Sequence, residues 1–268
     1  MWFIVTMMIL AGVAAGLWLT ERACAPHGAV GRRQKLLLAG YCAVALLAIA
    51  FLWRSRAVAK ADGSVVKALA RSRGQSLNSV MTVVTTIGDT VPSYLIVGVL
   101  GALIFMQGRH RVLVWVLPIA VFVELMIQFA FGHIFHDVTI SAVYPHLSLG
   151  GAGTIPSGSI SRLTVIFLIA ARLWATYDPR GARRVLGLGA SIIVIEAVSR
   201  LYLGRHLLAD IAGGMLLGLV LANAFFAACS FAKIALPRFS LAGPTVPREN
   251  AMGGPPRATE RANVLDGA

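Results

Sequence analysis

Long apolar runs separated by short polar links set the pattern of this chain. Trp2–Thr20, Leu36–Trp53, Val91–Met106, Val112–Phe131, Leu163–Tyr177, Val185–Val198 and Leu207–Ala232 each read as a helix that crosses a bilayer. The fold class this predicts is all-α, a polytopic membrane helix bundle. Residues 34–235 form its six-span core, and residues 1–33 add one N-terminal transmembrane helix and a basic linker. Met1-Trp2-Phe3 carries no basic start, so the first helix reads as an uncleaved span and not as a signal peptide. Between the second and third spans the pattern changes. Arg54, Arg56, Lys60, Lys67, Arg71 and Arg73 alternate with Val65, Val66, Leu69, Leu77, Val80 and Met81. That predicts an amphipathic segment near 54–85 lying on the membrane surface. From residue 236 to 268, Pro, Gly, Arg and Ala dominate without periodicity, which predicts a disordered tail.

Composition supports the membrane reading. The 268 residues are 57% hydrophobic and 13% charged, with mean hydropathy +0.78. The net charge of +13 does not imply nucleic acid here. The basic residues sit in short loops flanking apolar spans, where they set topology and meet anionic lipid headgroups. Alternating the loops across the membrane puts 14 of the 24 Lys and Arg residues on the face holding 21–35, 108–111, 178–184 and the tail. That face is expected to be cytoplasmic, which places the opposite face, of a plasma (inner) membrane, outside. Cys24, Cys42 and Cys229 are scattered, with neither a disulfide framework nor metal-type spacing.

The candidate chemistry lies at the junction of the last two spans, Ser199-Arg-Leu-Tyr-Leu-Gly-Arg-His-Leu-Leu-Ala-Asp210. His206 and Asp210 are four apart and share a helical face, so the carboxylate can hold one imidazole nitrogen and leave the other free to attack. The positive end of the helix opening there disfavours imidazolium. Arg200 offers a donor fork suited to phosphate oxygens, and Gly204 is a natural point for the chain to reverse. Ser157-Gly158 precedes the fifth span on the same face, where a helix start aims N–H groups at an anion. His133, His136 and Asp137 give H-x-x-H-D without a further ligand, so no metal and no organic cofactor is expected. Glu124 and Gln128, four apart within a span, read as a polar contact between helices.

The spacing S-R-x5-H-x3-D, filled by Ser199, Arg200, His206 and Asp210, resembles the third signature of the type 2 phosphatidic acid phosphatase and vanadium haloperoxidase superfamily. That family's second signature, P-S-G-H, appears as Pro156-Ser157-Gly158-Ser159, with serine in place of the histidine. Its first, K-x6-R-P, finds no match; the best register sets Gln128, Phe135 and His136 at the lysine, arginine and proline. The resemblance spans roughly 34–233 and takes in a Gly88-Asp89 turn ahead of a membrane helix. It implies an integral membrane phosphatase or phosphotransferase for lipid phosphates or diphosphates, with His206 and Asp210 catalytic and Arg200, Ser157, Gly158 and Ser159 binding phosphate. The family's histidine at the place of Ser159 acts as general acid, a role serine cannot fill. Arg162 could supply a missing cation or snorkel to headgroups, as could Arg205, and His133 or His136 could replace the lost acid. The alternative is a catalytically impaired homologue that binds lipid phosphate or serves as a membrane scaffold.

Overall fold

The structure, a computed structural model, describes residues 37, 39–45, 47, 48, 56–106, 115–134, 155–175 and 178–231. The first span, the basic linker, the loop with His136, Asp137 and His146, and the tail lie outside these residues. The described residues form helices and turns with no strand: α1 Arg56–Ala70, α2 Gln75–Val84, α3 Thr90–Met106, α4 Val116–Ile134, α5 Gly158–Trp174, α6 Pro179–Tyr202 and α7 Leu208–Phe231, with a helical stretch at 39–45 before them. Helices α4, α6 and α7 each contain a segment long and apolar enough to cross a membrane, and α3 is a shorter apolar helix. The chain is an integral membrane protein.

The centre of the bundle is α5, which packs against α3, α4, α6 and α7. Its interior position explains its sequence. The apolar run suggested a helix from Leu163, but α5 starts at Gly158 and carries Ser159, Ser161, Arg162 and Thr164 in its first two turns, all buried. A helix enclosed by other helices can hold polar groups that lipid would expel. The outer helices show the opposite pattern. Val91, Leu95, Val99 and Leu103 recur every four residues along an exposed face of α3, as a lipid-facing stripe requires. The core beneath joins Val97, Ile104, Leu117, Val121, Ile166 and Leu216.

Two small residues set the spacing of α7 on α5. A methyl added at Gly214 would run into the Ser157 carbonyl oxygen, and one at Gly218 into the Thr164 side chain. This small-xxx-small spacing lets the backbones approach closely where no hydrophobic force separates helix from lipid. Helix α6 is longer than its apolar run at both ends. Asp178 caps it by accepting from Arg180 N at 3.0 Å, Pro179 opens it, and its last turn absorbs Ser199 and Arg200. Gly204 then reverses the chain with φ 64°, a conformation only glycine adopts without cost. Helices α1 and α2 pack against α6, as a surface segment covering the turn between α6 and α7.

Candidate active site

The α6–α7 turn is closed by its own backbone. Arg205 N donates to Arg200 O at 2.9 Å, and Leu203 N to Ser199 O at 2.9 Å. Arg200 in the last turn of α6 and His206 beyond it are thereby fixed relative to each other. Asp210 completes the local arrangement. Its Oδ2 lies 3.3 Å from His206 Nδ1 and accepts Leu207 N–H at 2.9 Å. His206 sits in the turn, outside both flanking spans, and is 3% exposed. Burial first, and then the positive charges of Arg200 and Arg205, push its pKa well below the ordinary value. The ring is therefore neutral at physiological pH. With Nδ1–H directed at Asp210, the Nε2 lone pair is the one left to react.

Arg200 is engaged on several sides. Its Nε donates to Glu196 Oε1 at 2.7 Å. Nη2 donates to Asp89 Oδ1 at 2.8 Å and to Thr85 O at 3.0 Å. Among the described residues Nη1 has no such acceptor, so one edge of the fork is open to an anion. The Gly88-Asp89 turn that brings Asp89 here also packs its glycine on Ser159 and Glu196: a methyl at Gly88 would collide with both.

The N-terminus of α5 faces the same place. Ser157 N donates to Asp210 O at 2.9 Å, joining the second motif to the third. Ser157 occupies the N-cap position of α5, yet its side chain makes no cap hydrogen bond; its hydroxyl lies 3.4 Å from Ser159 Oγ instead. The N–H groups of Gly158, Ser159 and Ile160 are the first-turn donors that a helix cannot pair internally. Ser159 stands beside Glu196 of α6, so contacts close a ring from Ser157 through Ser159, Glu196, Arg200, His206 and Asp210 back to Ser157.

The other predicted residues are arranged differently. Arg162 does not snorkel to the headgroups. It is buried, with Nη1 3.5 Å from Glu124 Oε2 and Nη2 donating to Gly88 O at 3.0 Å. Gln128 Nε2 donates to Pro156 O at 2.5 Å, tying α4 to the segment before α5, and Glu124 meets Arg162 of α5. His133 is exposed near the end of α4, with its ring tilted 4.5 Å from that of Phe129 and Nδ1 3.2 Å from Phe129 O. His136 lies outside the described residues, and among these no cluster of His, Cys, Asp and Glu fits a metal ion.

Three further carboxylates belong to this arrangement. Asp89 and Glu196 frame Arg200, and the four-residue spacing of Glu196 and Arg200 was the available signal for one of them. The third is Asp62 of α1, the only acid in the basic run 54–73. It is 3% exposed and accepts Leu208 N at 2.9 Å and Ala209 N at 2.8 Å. Burial raises its pKa to about 6 against the lowering effect of those two N–H groups.

Residues 150–233, which hold both motifs, match the sequence model of the PAP2 superfamily. The fold is similar to the crystal structure described as the first transmembrane PAP2 type phosphatidylglycerolphosphate phosphatase from Bacillus subtilis. The TM-score is 0.63 and the identity 23%, covering 74% of this chain and 97% of that one. Among curated proteins no relative matches the sequence.

Proposed function

With a PAP2-superfamily segment at 150–233 as the premise, we propose that this protein is an integral membrane phosphatase that cleaves lipid phosphates or diphosphates through a phosphohistidine at His206. The observation that carries the reading is the His206–Asp210 pair at 3.3 Å, buried and tied by backbone to an arginine with an open donor edge. His206 Nε2 attacks phosphorus. The N–P bond forms as the bond from phosphorus to the leaving oxygen breaks, and that oxygen departs with the electron pair. Asp210 holds the ring and stabilises the positive charge it gains. Arg200 Nη1, the first N–H groups of α5 and the hydroxyls of Ser157 and Ser159 meet the equatorial oxygens. Water then releases phosphate from the histidine, or an acceptor alcohol takes it.

Ser159 sets the leaving-group preference. Without a general acid the departing oxygen must leave as an anion, which costs an alkoxide about 10²–10⁴-fold in rate. A lipid phosphate leaving from a diphosphate is already a stable anion and loses far less. The substrate expected from this is a lipid diphosphate, such as a polyprenyl diphosphate, drawn from the outer leaflet of the plasma membrane. Arg162, committed to Glu124 and Gly88, supports the α5 N-terminus from below. His133 and His136 carry no assigned step.

A non-catalytic reading is favoured by the same serine and by the two carboxylates already on Arg200: a membrane protein that holds a lipid phosphate without cleaving it. Phosphate release from a polyprenyl diphosphate, a polyprenyl phosphate and phosphatidic acid, beside His206→Ala, separates the two. The phosphatase reading expects release that the variant abolishes, fastest from the diphosphate. Tight binding of these lipids with no release above the variant would establish the binding protein instead.

A further inference from the structure

We propose that Asp62, on the surface helix α1, is a positioning residue for the site: it caps α7 from another element and so fixes His206 against Asp210. What is positioned follows from the phosphatase reading, while the contact itself does not depend on it.

Helix α7 opens without a cap of its own. Leu207 occupies the N-cap place, and its apolar side chain can accept nothing. One half of a capping box is present, because Asp210, three residues on, reaches back to Leu207 N. The other half, an acceptor for the first free N–H groups of the helix, is missing from the local sequence. Asp62 supplies it from 146 residues away, one carboxylate oxygen on Leu208 N and the other on Ala209 N. Those amides lie between His206 and Asp210, so the bonds act on the stretch that sets the distance between imidazole and carboxylate.

The same surface segment also holds the far end of the turn. Arg73 Nε donates to Tyr202 O at 2.8 Å, and Gly74 N donates to Tyr202 Oη at 3.2 Å. The segment between α1 and α2 thus grips the last residue of α6, while Asp62 grips the first residues of α7. Buried Val66 lies one turn after Asp62 on the same face of α1. The carboxylate therefore belongs to the face of α1 that docks on the bundle, opposite to what a solvated acid would do. Asp210 divides Oδ2 between His206 and Leu207 N, and its Oδ1 takes no hydrogen bond, so the side-chain acceptor at Leu208 N and Ala209 N is Asp62.

The test compares the full-length protein in detergent with Asp62→Asn and Asp62→Ala. Hydrogen exchange at the Leu208 and Ala209 amides should quicken about tenfold in the alanine variant. Its kcat on the diphosphate lipid should fall about 10²-fold with KM little changed, because a misplaced nucleophile harms the chemical step more than binding. Asparagine keeps one of the two acceptors and should lie between. Native kcat in Asp62→Ala, unchanged exchange at the two amides, or a loss that only tracks the folded fraction would overturn the proposal. Should the native protein release no phosphate, the phosphatase reading fails separately, and orthovanadate, a phosphate-shaped anion, becomes the probe. Weaker orthovanadate binding by Asp62→Ala would then support the positioning role. Equal binding, or none by the native chain, would overturn it.

Discussion

His206 is nearly closed to solvent and flanked by two cations, so its protonation is coupled to folding in one direction. The folded ring stays neutral while the unfolded ring gains a proton below its ordinary value of 6.5. The stability from this group is fully present above that pH and is lost as pH falls through it, by about 1.4 kcal/mol one unit lower. Melting curves at pH 7.5 and 5.5 should show a larger loss for the native protein than for His206→Gln; equal losses would contradict a neutral buried ring. The Arg162–Glu124 pair gives a second test. Glu124→Ala leaves a buried guanidinium without its carboxylate and should cost about 3 kcal/mol, while replacing both partners by methionine should cost less than either single change. Thermal unfolding of the three variants reads this out. At this scale the sequence disclosed the His206–Asp210 pair because the two stand four positions apart in one segment. Asp62 and Asp89 act across 146 and 111 residues, and no local pattern announces such partners. The counter-ion of Arg162 likewise lies on another helix, at Glu124.

At the scale of elements, the close approach of α7 to α5 positions Ser157 over Asp210. Gly214→Ala would push the helices apart against the Ser157 carbonyl. The expected cost is about 1–3 kcal/mol of stability, together with a loss of phosphate release larger than the loss of folded protein. Retained activity with normal melting would mean that the α5 N-terminus does not need this spacing. Apolar runs revealed the helices whose outer faces meet lipid, since lipid selects for continuous hydrophobicity. They underestimated α5 and α6: the polar start of α5 and the last turn of α6, with Ser199 and Arg200, are enclosed by their neighbours, while the polar start of α6 at Asp178-Pro179-Arg180 is exposed and is set by its cap. Glycine spacing in α7 was visible as letters, but the face it served was not.

For the whole molecule, the distribution of Lys and Arg predicts that the site opens on the extracytoplasmic side. A cysteine placed at exposed Ser72, in a background lacking Cys24, Cys42 and Cys229, should react with a membrane-impermeant maleimide in intact cells. Labelling only after lysis would turn the bundle over. The all-helical membrane architecture was legible because long apolar runs leave few ways to fold in a bilayer, while the run at 2–20 lies outside the described residues. The substrate was less legible, because Ser159 and the absent first motif remove the residues that would have declared it. The central claim is a covalent phosphohistidine, and trapping it is the most direct measurement. Protein mixed with a polyprenyl diphosphate labelled with ³²P at the terminal phosphate should acquire label that acid removes and alkali leaves, and His206→Ala should acquire none. Rapid phosphate release with no such label, or label that persists in His206→Ala, would contradict the account.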